Sequence, residues 1–222
     1  QKKPVVKIIN KNSFDYASSK VRSSVDDGSI YNFARYINDN VMNPGFKSID
    51  EDLLIKLICQ ESSGDPTRQS TAGAKGLTQL KPILLKEMGL NIDTYDNTDK
   101  SVISQILIGA MNLNRLSDYV EMKMEPYKQT NFDRWSNYNF YIALISYNAG
   151  ISRVDSLIKG LIAADKEFIS DGKEDNFVNF EQYFTTGLSK GTTLLEKSGY
   201  KKETIEYPLK IKNQSGKCLR IR

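Results

Sequence analysis

The sequence predicts a mainly α-helical protein. Apolar residues recur at helical spacing in successive segments, turn residues separate those segments, and neither an internal repeat nor a convincing hairpin interrupts the pattern. Residues 1–27 are rich in Lys, Ser and Asn, with one short apolar run from Pro4 to Ile9, and they end in Asp26-Asp27-Gly28. Residues 1–28 are therefore expected as an arm or linker. From Ser29 to Val41 the residues Ile30, Phe33, Ala34, Ile37 and Val41 keep helical spacing, and Asn43-Pro44-Gly45 ends the run. Asp50 stands where an N-cap belongs, ahead of a helix carrying Leu53, Leu54, Leu57 and Ile58. Ser62-Ser63-Gly64-Asp65-Pro66 stops that helix. Polar, irregular chain follows from Thr67 to Lys75, then a short helix around Leu77 to Met88.

Asp99 or Ser101 can cap the next helix, whose stripe is Val102, Ile106, Gly109/Ala110, Leu113, Leu116 and Val120. The small residues Gly109 and Ala110 would admit a neighbouring helix. Tyr138, Tyr141, Ile142, Ile145 and Ala149 form a further stripe, with Gly150 at the C-cap glycine position. Val154, Leu157, Ile158, Leu161 and Ile162 form another. Residues 165–179 are polar and expected as a surface insertion, 177–195 are apolar and aromatic, and 212–222 form a short basic tail.

Composition narrows the chemistry. The chain has 222 residues and no histidine, which excludes Ser-His-Asp and Cys-His catalysis and any His-ligated metal. Cys59 and Cys218 are too few for a four-cysteine metal site, so metal chemistry would have to rest on carboxylates and carbonyls. Their pairing is left open by the sequence. No run approaches the length of a membrane span. A net charge of +4, without a basic run or aromatic-basic ladder, gives no case for nucleic-acid binding. An enzyme built from this composition would take its acid or base from Glu, Asp, Lys or Tyr.

One carboxylate is placed unusually. Leu54, Leu57, Ile58 and Glu61 occupy positions i, i+3, i+4 and i+7 of one helix, which puts an acid on the apolar stripe. Burial disfavours the charged form of a carboxyl group, the condition for an acid that must hold a proton at neutral pH and deliver it. The alternative is that Glu61 lies just past the last buried turn and reaches water. Asp65, the nearest other acid in sequence, precedes Pro66 at a helix end and is explained by turn chemistry.

The residues around Glu61 carry a resemblance. Glu61-Ser62, Pro66, Ser70 and Ala72-Gly73-Ala74-Lys75-Gly76-Leu77-Thr78-Gln79-Leu80-Lys81-Pro82 strongly resemble the soluble lytic transglycosylases of the lysozyme-like superfamily, with their E-S-x-x-x-P and S-x-x-G-A-x-G-L-M-Q-[LI]-M-P runs. Ser146-Tyr147-Asn148-Ala149-Gly150 is similar to the family's [AS]-Y-N-A-G segment. Glu203-Thr204-Ile205-Glu206-Tyr207-Pro208-Leu209-Lys210-Ile211 is similar to its E-T-x-x-Y-V-x-K-[IV] segment.

The resemblance implies a lysozyme-like (goose-type/SLT) helical domain over 29–211, with an irregular loop region beside the active-site cleft. It implies a peptidoglycan lytic transglycosylase, exported to the periplasm or cell envelope, whose export signal would precede this sequence. Glu61 would be the single catalytic acid/base, and no metal and no cofactor is expected. Ser70, Gln79, Tyr147, Asn148, Glu203 and Tyr207 would meet the glycan, Gln79 by donating and accepting, Tyr207 by also orienting the glutamate. Thr78 and Lys81 replace the usual methionines, which would make the rim more polar. Gly64 stands where an aromatic is common, Ile151 replaces a proline, and Pro208 replaces a valine. Two alternatives remain: a hydrolytic goose-type lysozyme, and a catalytically silent peptidoglycan-binding module of an envelope-spanning secretion or other cell-wall assembly.

Overall fold

The structure, a computed structural model, describes residues 11–25, 29–44, 46, 50–90, 99–125, 128–159 and 201–219. The expected 165–179 insertion, the 177–195 stretch and the 4–9 run lie outside the described residues. The helices are α1 (Lys11–Ser24), α2 (Ile30–Asn40), α3 (Leu53–Ser62), α4 (Pro82–Glu87), α5 (Asp99–Met124), α6 (Lys128–Ala149), α7 (154–159), α8 (Lys202–Ile205) and α9 (Tyr207–Lys212). Among the described residues no strand forms; Gln69 with Lys75 and Lys75 with Leu80 make isolated antiparallel bridges. The chain divides into two compact units, one of Gln1–Asn114 with Ile211–Arg222, the other of Arg115–Lys210.

In the first unit, α2 begins as the sequence requires. Ser29 accepts the Asn32 N–H on its hydroxyl at 3.2 Å, and Phe33, Ala34 and Ile37 are buried. The start of α3 is capped differently from expectation. Asp50 accepts the Asp52 N–H at 2.9 Å, which closes a turn before the helix. The orphan N–H of Leu54 goes instead to Oδ1 of Asn38 at 3.3 Å, while Asn38 Nδ2 donates to the Glu51 carbonyl at 2.6 Å. Asn38 is 1% exposed, so this amide fastens α2 to the root of α3 inside the core. On α3 the side chains of Leu53, Leu54, Ile55, Leu57 and Ile58 are all buried. Ile103, Ile106, Leu107, Ile108, Ala110 and Leu113 supply the α5 share of this unit's core.

Two segments expected to lie outside the core belong to it. Residues 11–24 are not an arm: α1 buries Phe14, Ala17 and Val21 and packs against α2. Those residues sit at i, i+3 and i+7, a single thin stripe in an otherwise polar helix, and Phe14 and Val21 each contribute about 1.5–3 kcal/mol by leaving water. Of the expected 212–222 tail, the described residues 212–219 are likewise fastened, since Cys218 is bonded to Cys59 on α3. In the chain-entropy account, closing a loop of 159 residues stabilises the fold by about 5 kcal/mol.

The second unit is organised around Val120, Met124, Ile142, Ile145, Val154, Leu157, Ile158 and Ile205, drawn from α5, α6, α7 and α8. Val120, Ile142, Ile145, Val154, Leu157 and Ile158 come from stripes read in the sequence, Met124 and Ile205 join them, and Leu161 and Ile162 lie outside the described residues. Gly150 ends α6 with φ 89° and donates its N–H to the Ser146 carbonyl at 2.8 Å.

Candidate active site

Glu61 occupies the last turn of α3. Three of the residues that share its stripe, Leu54, Leu57 and Ile58, are fully buried, while Glu61 itself is half-buried. The helix stops directly after it. Ser63 takes the left-handed conformation (φ 57°) and donates its N–H to the Cys59 carbonyl at 3.1 Å. Ser62, buried, donates its hydroxyl to the Ile58 carbonyl at 3.1 Å and accepts the Gly64 N–H at 3.2 Å. The carboxyl-bearing turn is thereby tied at both its interior and its exit.

The loop that follows, 63–81, is irregular in conformation but fully organised by hydrogen bonds. Asp65 Oδ1 accepts from the Thr67 N–H at 2.8 Å and from its hydroxyl at 2.7 Å, the turn chemistry expected of it. Ser70 accepts the Ala74 N–H on its hydroxyl at 3.0 Å and donates its own N–H to the Ala74 carbonyl at 2.9 Å. Its hydroxyl hydrogen is still a donor. Gln79 sits at φ 48°, left-handed for a residue with a side chain, and this breaks the helix expected from Leu77 so that α4 begins only at Pro82. Gln79 Nε2 donates to the carbonyls of Gly76 at 2.9 Å and Arg68 at 3.1 Å. With both amide hydrogens committed to the loop, the polar atom Gln79 offers a ligand is Oε1, an acceptor, and not the donor–acceptor pair expected from its residue type.

The loop is anchored from inside by a residue the sequence did not single out. Gln105 on α5 is fully buried; its Oε1 accepts the Leu77 N–H at 2.8 Å, and its Nε2 donates to the Pro66 carbonyl at 3.2 Å and to Ser101 Oγ at 3.3 Å. Thr78 donates its hydroxyl to the Gln105 carbonyl at 3.0 Å. Thr78 is fully buried, so it does not make a rim more polar: it fills the space left by Gly109, where a Cβ would collide with the Thr78 side chain. The small residues on α5 thus receive a loop side chain, where the sequence suggested a helix. A polar residue on an apolar stripe, Gln105 one position before Ile106, was the available signal.

The remaining site residues lie in the second unit. Tyr147, half-buried near the end of α6, stacks on Tyr207 of α9 with ring centroids 6.5 Å apart and planes at 8°. Tyr207 is 3% exposed, so it backs the more accessible ring. Asn148 is exposed, and its Oδ1 accepts the Thr204 hydroxyl at 2.9 Å. Glu203 is exposed in the first turn of α8, beside Thr204. The expected site residues accordingly fall in two sets, Glu61 with Ser70 and Gln79, and Tyr147 with Asn148, Glu203 and Tyr207, each within one unit. Among the described residues no group of three or more His, Cys, Asp or Glu is arranged to hold a metal ion, and no helix is long and apolar enough to cross a membrane.

A family model described as Transglycosylase SLT domain matches residues 44–167. That stretch includes Glu61, Ser70, Gln79, Gln105, Tyr147 and Asn148; Glu203 and Tyr207 lie beyond it. No curated protein and no solved structure matches the chain.

Proposed function

The chain belongs to the Transglycosylase SLT domain family, whose activity is transglycosylase-type cleavage of peptidoglycan, and from that premise we propose that it is a lytic transglycosylase with Glu61 as its single acid/base. The observation that carries the proposal is the family match over the segment in which Glu61 stands half-buried at the end of an apolar helix. Glu61 gives its proton to the glycosidic oxygen between N-acetylmuramic acid and N-acetylglucosamine as the bond to C1 breaks. The muramoyl C6 hydroxyl then adds to C1, and its proton passes to the Glu61 carboxylate. The acid is regenerated, a 1,6-anhydro ring forms, and no water is consumed.

One protein carboxylate suffices because the nucleophile belongs to the sugar, and an intramolecular attack has a high effective molarity. The nearest acid in sequence supports this reading, since Asp65 is engaged by Thr67 in its own turn. Ordinary glycosidases need a second carboxyl group about 5–9.5 Å from the first. Gln79 and Ser70 would hold the reacting sugars, Gln79 as an acceptor for acetamide N–H or hydroxyl donors. Tyr147, backed by Tyr207, offers a ring face to a pyranose, with Asn148 and Glu203 as polar contacts. The disulfide supports an exported, envelope-located protein, because such bonds persist in oxidising compartments.

Mass spectrometry of digested sacculi tests the proposal. Muropeptides ending in 1,6-anhydromuramic acid are expected. Products with reducing muramic acid ends would replace this reading with hydrolysis, and intact sacculi that retain the protein would replace it with a binding module.

A further inference from the structure

One segment of chain lies along α3. Lys56 Nζ donates to the Lys212 carbonyl at 3.3 Å. A Cβ on Gly216 would stand 3.2 Å from Ile55 Cγ2, and Cys218 is bonded to Cys59. A Cβ on Gly64 would stand 2.8 Å from Leu219 Cδ2, so Leu219 rests against this glycine where the chain leaves α3, and the φ of 80° there favours glycine independently. The departure from an aromatic at this position therefore has a partner at the other end of the sequence.

The last turn of a helix has the least internal support, because its carbonyls lack intrahelical donors. Cys59 holds this turn twice: its carbonyl accepts the Ser63 N–H, and its sulfur is joined to Cys218. Cys59 and Glu61 lie about 200° apart around the helix, so the C-terminal segment bears on α3 from the side away from the carboxyl group.

We propose that residues 212–219, locked by the Cys59–Cys218 bond, position Glu61, so that the protein is fully active only when the bond is formed. The inference rests on the reading of Glu61 as the acid. A dithiol reverses it by giving two electrons and two protons to the S–S bond, which breaks into two thiols while the reductant closes to a cyclic disulfide. Before oxidation the folded chain would carry its acid on a turn braced only by its own hydrogen bonds, and full cutting would begin in the compartment that forms the bond.

The test compares oxidised wild type, the Cys59→Ala/Cys218→Ala double variant, and Leu219→Ala, which keeps both cysteines and the Gly64 turn but removes the side chain that rests on it. Sacculus cleavage is measured well below each protein's melting temperature, together with amide hydrogen exchange over 53–64. For the double variant, kcat is expected to fall on the order of ten- to a hundredfold, as small misplacements of a reacting group do, with KM nearly unchanged. Exchange should quicken at 61–64 but not at 53–58, and Leu219→Ala should show a smaller change of the same kind. Wild-type kcat in the double variant, or exchange raised evenly along α3, would overturn the proposal and leave the bond a stabiliser alone. If the double variant does not fold, Leu219→Ala decides: full kcat with unchanged local exchange overturns it. If oxidised wild type cuts no sacculi, the proposed function falls, and the exchange pattern still decides whether the segment holds the 61–64 turn.

Discussion

The loop from 63 to 81 and the Tyr147–Tyr207 region are held in place by opposite means. The loop has little regular structure, so its backbone groups find partners one at a time, among them the buried amide of Gln105, the Ser70 hydroxyl and the Gln79 side chain. The second region sits on helices that supply their own backbone bonds, and its side chains are positioned by contacts that include ring stacking and an exposed hydroxyl-to-amide bond. Buried polar bonds are costly to leave half made, whereas stacked rings lose contact area by degrees. The first construction suits a group that must be held to within a fraction of an ångström, and the second suits a surface that receives a bulky ligand.

If chemistry belongs to the first region and binding to the second, Glu61→Gln separates them most sharply. The amide is nearly isosteric but carries no proton to give, so kcat for sacculus cleavage should fall on the order of 10²–10⁴-fold. The melting temperature should stay close to that of wild type, and binding to sacculi measured by sedimentation should persist. Retention of wild-type kcat would remove Glu61 from the mechanism and erase the distinction between the regions.

The next effect concerns the anchor. Gln105→Leu strands the Leu77 N–H and the Pro66 carbonyl, and at about 1–3 kcal/mol for each unsatisfied buried group the loss should be roughly 2–6 kcal/mol. For a chain of this size that corresponds to a melting temperature lower by on the order of 5–25 °C, readable by calorimetry. Loss of less than about 1 kcal/mol would mean that water replaces the amide, and that the loop is less dependent on single buried bonds than the comparison holds.

What the sequence disclosed follows the same division. α2, α3, α5 and α6 were legible because each carries a broad apolar stripe, and Gly150 marked the end of α6. α1 was not, because Phe14, Ala17 and Val21 alone among polar residues make too thin a stripe to outweigh a Lys- and Ser-rich composition. In the loop, Gly and Asp residues announced turns, but the polar break that Gln105 makes in the α5 stripe does not disclose its partners, since Leu77 and Pro66 lie 28 and 39 residues away. The partner of Gly64 is more distant still, at Leu219. Glu61 was legible as an acid on an apolar face; its half-burial reflects its place in the final turn, where the stripe runs out. Glu203 and Tyr207 stand on helices too short for periodicity to mark, and only the resemblance singled them out.

The smallest effect should come from the stacked pair. Tyr147→Leu keeps an apolar side chain at the end of α6 but removes the flat face and the stack on Tyr207, an interaction worth about 0.5–1.5 kcal/mol beyond the area buried. Stability should drop by about that amount, and KM for a glycan oligomer should rise on the order of ten-fold or less while kcat holds, the signature of lost uniform binding. Tyr147→Phe retains the ring and isolates the hydroxyl; it should recover the stability and most of the KM. Were Tyr147→Leu instead to lower kcat as Glu61→Gln does, the ring would be part of the reacting geometry, and the division into a region for chemistry and a region for binding would have to be abandoned.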